Sequence, residues 1–431
     1  MLEVTTLALA MLTASPAVAQ ASTPNGAQQD AVAQLTLEAR GKDVVAVLKG
    51  ERPASEVFAP AFLAQVSAAQ LQQVMAQLTA VHGPLVALDK VTPTGPYTAS
   101  IALRFEKATG RGVLSLASEA PHLVIGLQLQ TFEVENDSAA KIRAELQALP
   151  GTVNAWFGPL DGGEPVLALN ADRSLALGST FKLYVLAALA RSVADGKHRR
   201  DEVVPLTARS FPSGVMQDWP QGTLVTLQTL ATLMLQISDN TATDQLAAVL
   251  SRPAIEAELR RTNLQPARSL PFMTTREMFL VKADPQLRAR YATANEAERR
   301  RLLAQLEGET APVATVAAAF GGLPLAIDTI EWFASPDDLR RLMRSLDDPQ
   351  FERARALMTA NRNLDERAAS QWAYVGYKGG SEPGVLNLTW LLRDKSDRWH
   401  MLTVGWNNPA ALVDTAKLDA LAKRLVALSR Q

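Results

Sequence analysis

The stretch GSTFK at 178–182 is followed directly by the apolar run Leu183–Ala190. This pattern predicts a hydrophobic helix whose first turn carries Ser179 and Lys182, three residues apart and therefore on one face. A serine hydroxyl is a poor nucleophile at neutral pH and needs an adjacent base. A lysine can act as that base where burial or neighbouring charges depress its pKa. Taken alone the pattern is weak, because Ser-x-x-Lys recurs by chance on solvated helices.

A second motif, Ser238-Asp239-Asn240, lies between two predicted helices. Its serine can relay a proton between Lys182 and a leaving group, and its carboxamide can hold a substrate amide while it contacts the lysine. The same tripeptide is also an ordinary helix-capping sequence. On its own, therefore, the second motif does not decide between catalysis and capping.

The third motif, KGGS at 378–381, is predicted at the end of a strand. A cation at Lys378 can attract a substrate carboxylate and tune Ser238. The two glycines allow a substrate backbone to approach the strand edge closely. The alternative is a plain strand-ending turn, because a Pro-Gly pair follows at 383–384.

The order, spacing and predicted settings of the three motifs resemble those of penicillin-recognising serine enzymes, and residues 136–431 resemble the class A β-lactamase family. The resemblance implies that Ser179 is the nucleophile, Lys182 the general base and Ser238 the proton relay. It also implies an oxyanion hole formed by the backbone N–H groups of Ser179 and Ser381. The third motif departs from the family's Lys-Thr-Gly because Gly379 lacks a hydroxyl, which Ser381 could supply. The substrate-binding residues that the resemblance implies are Asn240, Lys378, Gly380 and Ser381.

A second departure concerns the glutamate that activates the deacylating water in class A enzymes, where it stands in a Glu-x-x-Leu-Asn setting. Here Glu277 and Leu280 have that spacing, but Val281 stands where the asparagine belongs. Thr274 can instead cap a helix in which Glu277 is a first-turn carboxylate favoured by the helix dipole. We favour this capping interpretation, and Glu277 remains the candidate deacylation base if the interpretation fails.

The region 136–431 is predicted to be an α+β domain in which one antiparallel sheet collects strands from both ends of the segment and helices pack against it. This architecture corresponds to a class A β-lactamase or transpeptidase-like domain with an all-helical subdomain. A stretch at 282–315 adds helices between the second and third motifs. The predicted elements are a helix at 139–149, strands at 152–159 and 165–170, a long helical region, strands at 372–378, 385–393 and 399–406, and a helix at 409–429.

Residues 30–135 are predicted to form a separate small α+β accessory module. Helical patterns occupy 31–81, and period-two alternation over 85–134 predicts strands at 97–105, 111–116 and 122–134. Helices followed by a curved antiparallel sheet are similar in pattern to cystatin and nuclear-transport-factor-2 modules. We expect a spacer or a partner-docking module, because the segment carries no acidic or histidine constellation, and its partner stays open.

Composition excludes several functions. The 431-residue chain has no cysteine, which excludes a thiol nucleophile, disulfides and cysteine-ligated metals, and its four histidines are scattered. We therefore expect neither a metal nor an organic cofactor. A net charge of −1 gives no electrostatic field that favours binding of nucleic acid.

Residues 1–19 pair an apolar stretch with an Ala-Val-Ala end, which predicts a signal peptide and an exported, periplasmic or secreted protein. No other segment approaches the ~20 apolar residues of a membrane span.

The sequence predicts a serine hydrolase that forms an acyl-enzyme with a small-molecule substrate, either a β-lactam or a related ester or amide. We expect it to acylate well and deacylate poorly with β-lactams. The alternatives are an efficient β-lactamase, if Glu277 is the deacylation base, and a non-catalytic β-lactam or muropeptide sensor.

The chain is also similar to the two-domain β-lactamase-like protein encoded with clavulanic-acid biosynthetic enzymes. The features that carry this similarity are the added module, the GSTFK stretch and the sequence EWFASPDDL at 331–339.

Overall fold

The computed structural model describes residues 26–134, 137–307, 309 and 312–428. The chain divides between Asp137 and Ser138 into two compact units. This boundary lies beside the one expected from sequence, although the independence of the two domains stays a prediction. The predicted signal peptide, 1–19, lies outside the described residues. Within the part of the chain that the structure describes, no helix is both long and apolar enough to cross a membrane.

The first unit combines three helices with an antiparallel meander in the order β1-β2-β3-β4. Its elements are α1 (Gly26–Leu48), α2 (Pro60–Gln65), α3 (Ala68–His82), β1 (Leu85–Gly95), β2 (Thr98–Phe105), β3 (Ala108–Leu116) and β4 (Val124–Val134). The structure thus adds β1 ahead of the three predicted strands. The predicted start of the second of those strands at 111 is too late, because Thr109 and Gly110 already pair with β2. Similarity to cystatin or nuclear-transport-factor-2 modules stays a prediction.

The second unit is built on a five-stranded antiparallel sheet in the order β11-β12-β13-β5-β6, so strands from both ends of the segment meet as predicted. The strands are β5 (Thr152–Pro159), β6 (Leu167–Leu169), β11 (Tyr374–Glu382), β12 (Val385–Arg393) and β13 (Trp399–Asn407). The prediction that β11 ends at Lys378 is wrong, because pairing with β12 continues to Glu382. The third motif therefore lies inside a strand and not in a strand-ending turn.

Two short ribbons complete the strands of this unit. They are β7 (Leu175–Ala176) with β10 (Phe333–Ala334), and β8 (Val203–Pro205) with β9 (Leu224–Thr226). The β7–β10 ribbon holds the chain immediately before the first motif. It therefore decides where the serine of that motif lies.

Helices cover both faces of the five-stranded sheet. On one face, α4 (Ala139–Gln147) and α16 (Thr415–Leu428) share a buried apolar cluster with Trp390 and Leu402. On the other, an all-helical region shares a cluster with Trp156 and Met401. The helices of that unit between β7 and β11 are α5 (Lys182–Ala194), α6 (Leu227–Gln236), α7 (Asn240–Leu250), α8 (Arg252–Thr262), α9 (Thr275–Ala283), α10 (Pro285–Thr293), α11 (Glu296–Ala304), α12 (Val313–Phe320), α13 (Pro336–Leu346), α14 (Glu352–Leu357) and α15 (Glu366–Ala369).

Helix α5 lies at the centre of the all-helical region. Its residues Lys182–Ala190 are all buried, which is what a helix that is apolar on every side requires. The only charge in that run is Lys182, at the first position of the helix. A fully buried ammonium group is costly unless it is hydrogen-bonded or loses its proton. The fold thus fixes an unusual environment for the lysine of the first motif.

Candidate active site

Ser179 lies in a 3₁₀ turn, Gly178–Phe181, that leads directly into α5. The turn is anchored from two sides. Before it, the N–H of Leu177 donates to the carbonyl of Trp332 at 2.9 Å, and after it, the ring of Phe181 stacks on that of Trp332 with centroids 3.6 Å apart. The neighbours of Ser179 in the turn are buried, whereas Ser179 itself is partly exposed. The serine is therefore accessible on a rigid support.

Strand β11 runs against this turn at van der Waals distance. A Cβ atom on Gly380 would lie 2.5 Å from the backbone nitrogen of Ser179, and one on Gly178 would lie 2.8 Å from that of Ser381. Only glycine permits so close an approach. The two glycines thus bring together the two chain segments that carry the N–H groups of Ser179 and Ser381.

Lys182 is fully buried, and its ammonium nitrogen is held by the second motif. Its Nζ donates to the Ser238 carbonyl at 2.6 Å, to the Ser238 hydroxyl at 3.0 Å and to Oδ1 of Asn240 at 2.7 Å. Burial, assisted by the positive charge of Lys378, lowers the pKa of Lys182 well below its usual value. The first and second motifs therefore form one hydrogen-bonded cluster.

Lys378 joins the same cluster from the sheet. Its Nζ donates to the Ser238 hydroxyl at 3.1 Å and also to the carbonyl of Gly379. Burial lowers the pKa of Lys378 to about 7. The hydroxyl oxygen of Ser238 thus lies between two lysines whose pKa values are both depressed.

The turn that carries Ser238 has a left-handed backbone, with φ of 57° at Ser238. Asp239 caps α7 and also accepts hydrogen bonds from the N–H groups of Val215 and Met216 at 2.7 and 2.9 Å. The hydroxyl of Ser213 donates to the Ser238 carbonyl at 2.7 Å. The capping function expected of the tripeptide is therefore present, on Asp239, beside the contacts of Ser238 and Asn240 with the lysines. The loop at 213–216 was not identified from the sequence.

Glu277 is occupied by structural contacts, and the capping interpretation is confirmed. Its Oε2 accepts from the N–H of Thr274 at 2.8 Å, while the hydroxyl of Thr274 accepts from the N–H of Glu277 at 3.1 Å. Its Oε1 accepts from Arg252 at 2.6 Å. Among the hydrogen bonds of the described residues, none joins Glu277 to Ser179 or Lys182. The hydrogen-bonded cluster contains Lys182, Ser238, Asn240 and Lys378, and Glu277 lies outside it.

Asp244, which the sequence analysis did not single out, supports the site from behind. It lies one turn after Asn240 on α7, and its carboxylate accepts from the N–H groups of Thr275 and Arg276 at 2.7 and 2.9 Å, at the start of α9. Burial raises the pKa of Asp244 to about 6, although these backbone donors favour its charged form. It ties the second motif to the helix that contains Glu277. The sequence signal that could have identified it is an acidic residue four positions after Asn240, on the same face of the helix.

The space of the missing threonine in the third motif is taken by Tyr377. A Cβ atom on Gly379 would overlap the Tyr377 hydroxyl and would lie 2.9 Å from its Cζ atom. Tyr377 is itself buried, with its ring 4.7 Å from that of Trp390. The departure from Lys-Thr-Gly is therefore a packing requirement of this chain. Ser381, in contrast, has an exposed side chain, as a substrate contact requires.

Within the described residues, no group of three or more histidine and acidic side chains is arranged to hold a metal ion. The arrangement that is present consists of a partly exposed serine on a rigid turn, a buried lysine with a depressed pKa, a bridging serine and a second lysine. Such a set can activate a hydroxyl, move a proton and stabilise an anionic group.

Comparison with known proteins identifies the family of the second unit. The Beta-lactamase enzyme family matches residues 137–389, which is more than half of the chain, and the protein belongs to that family. Comparison with curated proteins gives no match. Among solved structures, the second unit is similar to a β-lactamase from Sphaerobacter thermophilus, with 21% identity over 68% of this chain and 95% of that chain, at a TM-score of 0.49. It is also similar to a β-lactamase from Chitinophaga pinensis, with 15% identity over 68% and 96% at 0.44, and to an ancestral class A β-lactamase, with 18% identity over 68% and 98% at 0.46.

Proposed function

We propose that the protein is a serine hydrolase that works through an acyl-enzyme on Ser179. The observation that carries the proposal is the buried Lys182, whose pKa is depressed and whose Nζ contacts Ser238 and Asn240. In its amine form Lys182 has a lone pair one helical turn from Ser179, where it can accept the hydroxyl proton. Membership in the β-lactamase family supports the same chemistry.

The acylation step follows from these positions. Ser179 Oγ attacks the substrate carbonyl carbon and Lys182 takes its proton. The N–H groups of Ser179 and Ser381 receive the developing oxyanion. The bond to the leaving group then breaks, and the Ser238 hydroxyl passes a proton to the leaving nitrogen or oxygen and is reprotonated from Lys182.

The substrate class that fits this site is a β-lactam, or a related ester or amide with a carboxylate. Lys378 provides the cation for that carboxylate, and the exposed hydroxyl of Ser381 provides a hydrogen bond. The carboxamide of Asn240 accepts from Lys182 and donates from Nδ2 to the carbonyl of Phe211 at 3.0 Å, so a substrate amide that it orients replaces the contact with Phe211. Gly380 leaves room for the substrate backbone beside the strand.

Deacylation of a β-lactam is expected to be slow. It needs a base that activates a water molecule at the ester, and both carboxylate oxygens of Glu277 are engaged by Thr274 and Arg252. Positioned acid–base assistance contributes about 10²–10⁴-fold, so its loss leaves a long-lived acyl-enzyme. An activated ester with a small acyl group can still turn over, because bulk water reaches a less enclosed intermediate.

One set of measurements separates this proposal from its two alternatives. Steady-state turnover of nitrocefin and of a p-nitrophenyl ester is measured beside intact-mass acylation by a penicillin. We expect ester turnover, a penicillin adduct and little nitrocefin turnover. Fast nitrocefin turnover would indicate an efficient β-lactamase, whereas an adduct without ester turnover would indicate a sensor.

A further inference from the structure

A buried ionic cluster joins α9, β11 and the segment that precedes Trp332. None of its three members belongs to the three motifs. Lys282, near the end of α9, is fully buried. Its Nζ donates to Oε1 of Glu331 at 2.7 Å and to Oε1 of Glu382 at 2.6 Å. The side chain of Glu331 is also fully buried, and that of Glu382 is 10% exposed.

The cluster holds two carboxylates against one ammonium group. Burial, together with the charge of Glu331, raises the pKa of Glu382 well above its usual value. Burial by itself would lower the pKa of Lys282, but the charges of Glu331 and Glu382 raise it above its usual value. Burial and the neighbouring carboxylate thus favour the protonated form of Glu382, and the two acidic side chains favour the charged form of Lys282. Buried ionic groups of this kind contribute little net stability, so a role in fixing geometry is worth testing.

The two acidic residues belong to the two chain segments that frame Ser179. Glu331 precedes Trp332, which accepts a hydrogen bond from Leu177 and stacks on Phe181. Leu177 and Phe181 lie on either side of Ser179, in or next to the turn Gly178–Phe181, which we call the nucleophile turn. Glu382 directly follows Ser381 in β11. Lys282 thus connects the segment that supports Ser179 with β11, which carries Ser381. Ser179 and Ser381 are the two proposed oxyanion donors.

The direction of the Glu382 side chain strengthens this connection. Side chains alternate along a strand, so Lys378, Gly380 and Glu382 share one face of β11. Lys378 contacts Ser238, and Gly380 lies against the backbone nitrogen of Ser179. The carboxyl group of Glu382 therefore extends from the face of the strand that meets the nucleophile turn.

We propose that Lys282 and Glu382 are positioning residues that set the separation of the Ser179 and Ser381 N–H groups in the oxyanion hole. This inference rests on the proposed acyl transfer at Ser179. Oxyanion donors act only within about 2.7–3.1 Å of the developing charge. The contact of Glu382 with Lys282 fixes β11 at the residue next to Ser381. It therefore limits how far the N–H group of Ser381 can move from the oxyanion.

The test compares Glu382→Ala with Glu382→Gln. The alanine variant removes the tether and leaves Lys282 its contact with Glu331, whereas the glutamine variant also keeps an acceptor at position 382 for Lys282. Acylation rate and half-saturation are measured with a p-nitrophenyl ester and with the corresponding thionoester. Because loss of a whole oxyanion donor costs about 10²–10³-fold, displacement of one is expected to slow the ester reaction roughly tenfold in Glu382→Ala, at nearly unchanged half-saturation. Glu382→Gln is expected to stay close to the wild type.

The thionoester distinguishes positioning from general damage. Its sulfur depends less on hydrogen-bond donors, so the ratio of ester to thionoester rates is expected to fall in Glu382→Ala, whereas a structural loss lowers both rates equally. Arg191→Met is the matched control, because it breaks the part-buried ion pair of Arg191 with Glu258, 2.8 Å apart, elsewhere in the same unit. Its rate ratio is expected to be unchanged.

A wild-type acylation rate for folded Glu382→Ala, or an unchanged rate ratio, would overturn the proposal. If the alanine variant is insoluble, Glu382→Asp serves in its place, because it keeps the carboxyl group and shortens the tether by one methylene group. The same slowing is expected, and a wild-type rate would overturn the proposal equally. A wild-type protein that is not acylated at all is a different outcome, since it contradicts the proposed function itself.

Discussion

Nζ of Lys378 lies 3.1 Å from the hydroxyl oxygen of Ser238. The same oxygen accepts a hydrogen bond from Lys182 at 3.0 Å, so the two lysine side chains share one acceptor. The charge of Lys378 is one of the causes that lower the pKa of Lys182. Lys378 of the third motif therefore helps to set the pKa of Lys182, the proposed base of the first motif.

Replacement of Lys378 by methionine should move the pH dependence of acylation. Lys182 accepts a proton only when neutral, so the acylation rate rises with pH through its pKa. Removal of the Lys378 charge removes a cause that lowers this pKa, and the rising limb is expected at higher pH in Lys378→Met. The measurement is the pH–rate profile with an uncharged p-nitrophenyl ester, for which carboxylate binding has no part.

The control for this profile is Lys197→Met, which removes an exposed lysine paired with Asp195. It should leave the limb in place. A limb that stays in place in Lys378→Met, or that moves to lower pH, would show that Lys378 does not set the pKa of Lys182.

The Gly379→Thr substitution, which restores the family's threonine, should destabilise this protein. The added Cβ atom would overlap the Tyr377 hydroxyl, and overpacking of a filled site costs about 1–3 kcal/mol. Tyr377→Phe removes the overlapping oxygen, so the double variant should lose less stability than the sum of the two single variants. Urea unfolding of the four proteins measures this coupling. Strictly additive losses would mean that Tyr377 is not the reason for Gly379.

Glu277→Gln should lower stability without changing the lifetime of a penicillin adduct. Glutamine can keep the capping contact with Thr274, but the charged hydrogen bond to Arg252 is lost, at a cost of about 1–3 kcal/mol. Intact mass followed over time after mixing with a penicillin is expected to show a stable adduct on both proteins. Rapid clearance by the wild type that disappears in Glu277→Gln would identify a working β-lactamase.

A chain that begins at Ser138 should fold and remain reactive. Each apolar cluster of the described residues draws its buried members from one unit only, with Leu37–Leu127 in the first and Ile142–Val426 in the second. The proposed site residues all lie after residue 138. Soluble, monodisperse material that is not acylated would show that the first unit shapes the site, and insoluble material would show a shared core.

The sequence was sufficient to predict those elements that depend on neighbouring residues in the chain. Strand β5 and the cap at Thr274 lie where hydrophobic periodicity and the capping residue predict them. The bounds of β11 were wrong because the glycines at 379 and 380 look like a turn, whereas they are needed for contact with Tyr377 and with the nucleophile turn. The contact of Gly380 with the turn at Ser179 joins residues about 200 positions apart, and hydrophobic periodicity along the chain does not predict it.

The same reason explains which site residues were missed. Ser179, Lys182, Ser238 and Lys378 belong to compact motifs that are legible in the sequence. The cluster of Lys282, Glu331 and Glu382 comes from three distant segments, and each of its residues looks like an ordinary surface charge when read alone. Only the fold shows that they are buried together.

The central claim is that Ser179 is acylated, and intact-mass spectrometry tests it most directly. Wild type and Ser179→Ala are each mixed with a penicillin and followed over time, with matched unfolding curves to show that both are folded. The account predicts one covalent adduct on the wild type, with the mass of the intact penicillin, and none on Ser179→Ala. An adduct of equal extent on Ser179→Ala, or none on the folded wild type, would contradict it.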